Sequence, residues 1–180
     1  ARVAGGTSTR AVLAGAPNAG KSTLFNRLAS GAAVEASGRA LVSDLAGTTR
    51  DAKRAEWRVG PEHLCELLDT AGRAERAEDR RAGDDPDRIA EVRAAELAGA
   101  ADLVVAVVDA TSPQLPPLET AGAPVLLAWN KVDLDDAPAE PPAGWSERAD
   151  AWVAISAASG AGLEVLGRTA RELLEGNDDE

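Results

Sequence analysis

Gly15–Ser22, with the sequence GAPNAGKS, matches the pattern G-x-x-x-x-G-K-[ST] of a phosphate-binding loop. The stretch lies between an apolar run, Ala11–Ala14, and a segment with apolar residues at helical spacing, Lys21–Ala29. Glycines at this spacing let backbone N–H groups turn inward around phosphates, and the following helix adds the positive end of its dipole. We expect Lys21 to reach the β- and γ-phosphates and the Ser22 hydroxyl to bind Mg²⁺. The other residues expected to contact the nucleotide here are Asn18, Ala19 and Gly20 of this stretch and Thr23 directly after it.

Short apolar strands alternate with helical segments along the chain, which predicts an α/β fold with a mostly parallel six-stranded sheet flanked by helices. The predicted strands are Ala11–Ala14, Ala52–Val59, His63–Leu68, Leu103–Asp109, Pro124–Asn130 and Ala151–Ile155, and the predicted helices are Lys21–Ala29, Ile89–Gly99 and Gly162–Leu174. The turn pair Gly60-Pro61 should join the second and third strands into an antiparallel hairpin. Prolines in Thr111–Gly122 predict a shortened crossover between the fourth and fifth strands, without a proper helix. Trp129 and Trp152 are expected in core or near-core strand positions.

The composition limits the possible classes of function. The chain has 180 residues, which suits one domain, and 19 Lys+Arg against 30 Asp+Glu give a net charge of −11. This acidity argues against direct binding of nucleic acid or of an anionic membrane surface. The single cysteine, Cys65, excludes a disulfide framework and fits a reducing compartment, and no apolar run reaches the roughly 18 residues of a membrane span. The sequence contains no methionine, so we expect a single domain cut from a longer protein.

A second phosphate element, Asp69-Thr-Ala-Gly72, follows the third predicted strand. Asp69 at the end of a buried strand can hold Mg²⁺ through water, and Gly72 lets its backbone N–H approach a γ-phosphate. Taken alone, an aspartate at a strand end is more often structural, and a Gly-rich turn between a strand and a helix can be structural too. The two elements in this order favour a phosphate and magnesium site.

A base-binding element, Asn130-Lys131-Val-Asp133, follows the fifth predicted strand. The Asp133 carboxylate can accept two hydrogen bonds from the N1–H and the exocyclic amine of guanine, which adenine does not offer. Lys131 can lay its stem over the base while Asn130 tethers the loop. Such a tetrapeptide also occurs by chance as a turn, but its place after the two phosphate elements favours a guanine pocket. A backbone N–H toward the guanine oxygen is expected from Ser156, Ala157 and Ala158, which follow the last strand.

These motifs, in this order and over essentially the whole chain, resemble the G domain of translation-factor-related GTPases. Ser43–Asp51, with the sequence SDLAGTTRD, and Asn18 resemble more narrowly the bacterial tRNA-modification GTPase family (MnmE/TrmE), and less closely the Der and Era ribosome-assembly GTPases. The resemblance implies a Ras-like P-loop GTPase fold that binds GTP and GDP with Mg²⁺. In the tRNA-modification family a folate-binding domain precedes a helical domain that carries the G domain as an insert. Members of that family modify the wobble uridine of certain tRNAs together with a flavin-dependent partner protein. The resemblance therefore also implies such a partner and a cytoplasmic location.

The same resemblance implies potassium-stimulated hydrolysis in a homodimer of G domains. Asn18 would help to bind K⁺, with the loop near Ser43 and Leu45 completing the cage of the ion. That ion would stand where an arginine finger otherwise neutralises charge on the transferring phosphoryl group. Thr48 or Thr49 would close on Mg²⁺ and the γ-phosphate, and side-chain chemistry does not choose between them. The alternative for Asn18 is a simple turn residue.

The segment after Gly72 departs from the family pattern at Arg73, because arginine has no acceptor atom with which to orient an attacking water. The family uses a glutamate for this purpose, and matching the following helix to that of the family places Asp87 at the position. The rival acidic residues are Glu75, Glu78, Asp84 and Asp85. The alternative is that the charged run Arg73–Asp87 is simply a solvated loop, which we expect to be poorly ordered.

Two other functions stay open beside a tRNA-modification GTPase. One is a Der- or Era-like ribosome-assembly GTPase. The other is a nucleotide-responsive interaction module that binds GTP or GDP with little hydrolysis, an alternative that Arg73 keeps open.

Overall fold

Six strands and two helices lie in the part of the chain that the computed structural model describes, residues 9–31, 53–60, 63–69, 99–116, 120–145 and 147–176. The strands are β1 (Thr9–Ala14), β2 (Lys53–Arg58), β3 (Leu64–Asp69), β4 (Leu103–Asp109), β5 (Val125–Asn130) and β6 (Ala151–Ala154), and the helices are α1 (Lys21–Gly31) and α2 (Leu163–Gly176). All six predicted strands are confirmed, as are the first and last predicted helices. The predicted helix Ile89–Gly99 lies outside the described residues except for its last residue, which is part of a turn.

The strands form one sheet in the order β2-β3-β1-β4-β5-β6. β2 and β3 pair antiparallel as the predicted hairpin, and the other neighbouring strands are parallel. β4 and β5 are almost entirely buried, because parallel strands covered on both faces need apolar side chains on both. The carboxyl ends of parallel strands meet at one edge of a sheet, so the last residues of β1, β3, β4 and β5 lie together there.

Helices α1 and α2 cover one face of the sheet. Leu24 and Leu28 of α1 and Leu166 and Ala170 of α2 are buried in one apolar cluster with alternate residues of the central strands. The spacing of four residues within each pair places these side chains on one side of each helix. Because α1 begins at Lys21, this packing also fixes the loop from β1 above the carboxyl edge of the sheet. Of the helices in the described residues, neither is long and apolar enough to cross a membrane.

The opposite face carries a second apolar cluster, which loops rather than helices cover among the described residues. Trp129 on β5 is fully buried there, and its indole N–H donates to the Pro138 carbonyl oxygen at 2.7 Å. Trp145 packs edge-on against it, with ring centroids 6.0 Å apart and an interplanar angle of 87°. The connection between β4 and β5 forms no helix in residues 110–116 and 120–124, as its prolines predict.

Trp152 is not the core or near-core residue that the sequence predicts, since 37% of its surface is exposed. It lies on β6, the edge strand next to β5. Side chains alternate along a strand, so Trp152 projects to the side opposite Val153, which is buried in the cluster under the helices. An edge strand has a neighbour on one side only, and a side chain on its less covered face therefore keeps contact with solvent.

Candidate nucleotide-binding site

The phosphate loop, Gly15–Gly20, runs from the end of β1 to the start of α1. Gly15 and Gly20 have positive φ angles of 156° and 100°. A Cβ atom on Gly15 would overlap the carbonyl oxygen of Val107, and one on Gly20 would overlap the side-chain amide nitrogen of Asn130. Glycine is therefore required at both positions for the loop backbone to approach its neighbours this closely. Asn18, between them, is exposed and also has a positive φ, 62°, which asparagine tolerates better than most residues.

Lys21 turns its ammonium group back onto the phosphate loop. Its Nζ donates to the carbonyl oxygens of Gly15 at 2.8 Å and Ala16 at 2.7 Å, and only 7% of the residue is exposed. Burial lowers the pKa of Lys21, and the negative charge of Asp69 partly opposes this effect. A cation held by neutral carbonyls in a desolvated site is stabilised further by an anion, which suits a phosphate ligand.

Ser22 and Asp69 meet at the carboxyl edge although 47 positions separate them in the chain. The Ser22 hydroxyl donates to Asp69 Oδ2 at 3.2 Å, and Asp69 is fully buried. The pairing arises because β3 lies parallel to β1 with Asp69 opposite Leu13, which brings the end of β3 beside the start of α1. A hydroxyl and a carboxylate are hard oxygen ligands of the kind that Mg²⁺ takes, so the two residues fit the predicted ion.

Asn130 connects two loops from the end of β5. Its Nδ2 donates to the Ala19 carbonyl oxygen at 2.8 Å, and its Oδ1 accepts from the Ala157 N–H at 2.9 Å. The residue is 1% exposed, and both polar ends of its side chain are satisfied inside the protein. Asn130 therefore ties the phosphate loop to the loop that follows β6.

Lys131 is held by Asp109, a residue that none of the sequence motifs contains. Lys131 Nζ donates to Asp109 Oδ2 at 2.5 Å, while Asp109 Oδ1 accepts from the N–H and the hydroxyl of Thr111. Desolvation acts to raise the pKa of Asp109, but the hydrogen bonds from Lys131 and Thr111 outweigh it and lower the pKa. Its place in the sequence could have indicated this contact, because Asp109 is the last residue of β4 and lies directly opposite Asn130 in the parallel register.

The base loop, Ser156–Gly160, is a single turn that Ser156 caps. The Oγ and the carbonyl oxygen of Ser156 accept the N–H groups three and four residues later, at 3.0 and 2.8 Å. The Ala157 N–H donates to the Asn130 side chain. The Ala158 N–H has no partner within the described parts of the chain, so this donor remains available to a ligand.

The remaining predicted site residues fall into two groups. Asp133 and Thr23 are exposed, as a residue that meets a ligand from solvent can be. The others lie outside the described residues; these are Ser43, Leu45, Thr48, Thr49, Gly72 and Asp87, with the rivals Glu75, Glu78, Asp84 and Asp85. The predicted poor order of Arg73–Asp87 likewise falls outside them.

The residues that build this edge of the sheet match a known protein family. A family model described as 50S ribosome-binding GTPase matches residues 10–131, from β1 to the end of β5 and Lys131. The chain belongs to this GTPase family. The match includes the phosphate loop, Asp69 and Asn130, and a GTPase takes a guanine nucleotide as its substrate.

The GTPase chain is also similar to longer proteins. It is 38% identical over 173 residues to the tRNA modification GTPase MnmE of Chloroflexus aurantiacus, covering 93% of this chain and 35% of that protein. It is 40% identical over 167 residues to the MnmE protein of Pseudomonas aeruginosa strain UCBPP-PA14, covering 86% of this chain and 33% of that protein. The GTPase chain thus spans about a third of the length of these relatives.

Two solved structures share the architecture of this GTPase. One is the G domain of the T. maritima FeoB iron transporter, with a TM-score of 0.61 and 25% identity over 93% of this chain and 99% of that one. The other is a substituted form of Aquifex aeolicus Era bound to GDP and AlF4−, with a TM-score of 0.60 and 27% identity over 94% of this chain and 57% of that one. The six-stranded sheet with its phosphate loop is therefore a P-loop GTPase fold.

Proposed function

We propose that this GTPase is the potassium-stimulated G domain of a protein that modifies the wobble uridine of tRNA. The likeness to the MnmE proteins carries the proposal, because it extends over 93% of the chain and so reaches beyond the family match, which covers residues 10–131. A homodimer of G domains, a flavin-dependent partner of the full-length protein and a cytoplasmic location belong to the same proposal. The acidic surface, with a net charge of −11, fits a domain whose parent protein contacts tRNA elsewhere.

The phosphate side of the proposed mechanism uses groups that already lie together. Lys21 would transfer its hydrogen bonds from the loop carbonyls to the β- and γ-phosphate oxygens. Ser22 and Asp69 would hold Mg²⁺, which when bound neutralises charge on those oxygens. Thr48 or Thr49 would complete this side, and Asp87 would orient the attacking water.

The base side of the proposed site depends on two fixed loops. Asp133 would accept the N1–H and the amine of guanine, and Lys131, held by Asp109, would lay its stem over the base. The Ala158 N–H is the proposed donor to the guanine O6 atom. Asn130 would keep the two halves of the site at a constant separation, since it bonds to both loops.

The potassium mechanism is supported by the exposed Asn18 side chain in the phosphate loop, whose amide oxygen suits K⁺. We expect phosphate release from GTP to be roughly tenfold or more faster in KCl than in NaCl at equal ionic strength, since charge neutralisation at this point accelerates phosphoryl transfer strongly. Asn18→Ala should reduce the rate in KCl to the rate in NaCl. Asn26→Ala, which removes another exposed asparagine from α1, is the matched control and should keep the potassium effect.

Two outcomes would redirect the proposal. Equal rates of phosphate release in the two salts would exclude the potassium mechanism and leave family membership intact. Tight GDP binding without single-turnover hydrolysis, even in KCl, would favour the nucleotide-responsive interaction module.

A ribosome-assembly GTPase is the second candidate, favoured by the description of the matching family and by the likeness to Era. Co-sedimentation of the chain with 50S ribosomal subunits, in a non-hydrolysable GTP analogue but not in GDP, would favour this candidate. The tRNA-modification proposal expects no co-sedimentation in either nucleotide.

A further inference from the structure

Arg27 reaches from α1 to the base loop across 130 positions of the chain. Its Nε donates to the Ala157 carbonyl oxygen at 3.3 Å, and an Nη nitrogen donates to the Ala158 carbonyl oxygen. The residue is exposed, so its side chain fills no core position and its removal would leave no buried cavity. One guanidinium thus binds two successive carbonyl oxygens, which its fork of donors allows.

Because the peptide unit is planar, the contact between Arg27 and the Ala157 carbonyl also fixes the direction of the Ala158 N–H. That N–H shares a peptide unit with the Ala157 carbonyl, and the unit is trans because the described residues contain no cis peptide bond. In a trans unit the C=O and N–H bonds point in opposite directions. With the Ala157 oxygen held by Arg27, the Ala158 N–H points away from the guanidinium.

The contacts of Asn130 show which part of the protein lies on the side of the base loop opposite Arg27. The hydrogen bond from the Gly160 N–H to the Ser156 carbonyl makes the base loop one helical turn, in which successive N–H groups point the same way. The Ala157 N–H meets Asn130, and Asn130 in turn donates to the phosphate loop. The Ala158 N–H therefore projects toward the nucleotide site.

We infer that Arg27 is a positioning residue for guanine recognition, which holds the base loop so that the Ala158 N–H is aimed at the O6 atom of the base. The inference rests on the proposed contact between this loop and guanine. Without the guanidinium the two carbonyl oxygens return to water, and the peptide unit between Ala157 and Ala158 keeps only the restraint of the turn that Ser156 closes. Asn130 then holds only the Ala157 end of the turn.

The test compares GDP with 6-thio-GDP, by competition against a fluorescent GDP, in wild type and Arg27→Ala. Sulfur is a weak acceptor, so 6-thio-GDP keeps the N1–H and the amine but weakens the bond to the Ala158 N–H. We expect Arg27→Ala to weaken GDP binding by roughly five- to tenfold and 6-thio-GDP binding by less than about twofold. Arg27→Lys should recover part of the preference for GDP, because an ammonium can serve one carbonyl.

Two matched variants distinguish a misdirected Ala158 N–H from a general loss of nucleotide binding. Asp133→Asn should weaken both nucleotides by the same factor, because both present the same N1–H and amine. Arg168→Ala removes an exposed arginine from α2 and should change neither affinity. An equal loss of both nucleotides in Arg27→Ala, or no loss at all, would overturn the positioning role. If the wild-type chain failed to bind GDP, the guanine site itself would be wrong, and this inference with it.

Discussion

Asp109→Asn is the substitution that tests how the base pocket is held. Asparagine keeps the shape of the side chain and an oxygen that can accept from Thr111, but it removes the charge that holds Lys131 Nζ at 2.5 Å. Lys131 is then free to sample other rotamers before the nucleotide arrives. We expect a weaker affinity for GDP with little change in fold.

The expected size follows from the exposure of the two partners. The Lys131 and Asp109 side chains are 32% and 16% exposed, so the ion pair is partly screened and should contribute about 0.5–1 kcal/mol to the free energy of unfolding. Fixing a lysine side chain costs up to about 2 kcal/mol of rotamer entropy, and the pair has already restricted part of that freedom. A loss of about 1 kcal/mol in binding corresponds to a roughly fivefold weaker affinity for GDP.

The assay is a fluorescence titration of a labelled GDP against wild type, Asp109→Asn, Lys131→Met and the double variant. If Asp109 acts through Lys131, Asp109→Asn should cost affinity in the wild-type background and nothing further in Lys131→Met. An equal loss in both backgrounds would refute the reasoning. Asp150→Asn is the matched control, because Asp150 accepts from the Val125 N–H at the opposite end of β5 and should leave the affinity for GDP unchanged.

The pH dependence of this pair has a definite sign. The folded-state pKa of Asp109 is lowered, so its contribution to stability is present above the unfolded pKa of about 3.9 and is lost as the pH falls through the folded pKa. The difference in unfolding free energy between wild type and Asp109→Asn should therefore be constant near neutral pH and shrink below about pH 4.

Two predictions concern glycine and cysteine chemistry. Gly20→Ala should lower the unfolding free energy by about 3 kcal/mol in urea titrations, because the new Cβ strains a φ of 100° and displaces the buried Asn130 amide. Gly167→Ala, where a Cβ meets nothing within 4 Å, should instead be neutral or stabilising, and equal effects would contradict this account. Burial raises the pKa of the Cys65 thiol to about 11, so a thiol reagent at pH 8 should label it in urea and not in the folded chain. Labelling at the same rate in both states would show that the thiol is accessible.

The sequence predicted the fold and the motifs well where residue type and spacing carry the physics. The phosphate loop needs glycines at positive φ, followed by a lysine and a hydroxyl residue. The stretch Gly15–Ser22 has all of these at the spacing of the motif. The pairing of Ser22 with Asp69 follows from one further rule, that the ends of neighbouring parallel strands meet.

The contacts that the sequence did not predict join residues without a fixed spacing. Arg27 contacts the base loop 130 positions away, and nothing in the pattern around an exposed helical arginine indicates that partner. Which N–H of the base loop stays available depended on the hydrogen bonds that Asn130 and Ser156 take up first. The exposure of Trp152 was wrongly predicted because strand periodicity gives the direction of a side chain, and burial depends on what covers that face.

The two hydrogen bonds of Asn130 also bear on the kinetics of nucleotide exchange. Because the Ala19 and Ala157 backbones are tied to one buried side chain, the entropy of ordering both loops is lost when the protein folds and not when the nucleotide arrives. Each incoming nucleotide then binds between a phosphate loop and a base loop whose separation Asn130 has already fixed. A partner that speeds GDP release would act most directly by displacing Asn130, which would release both loops in one movement.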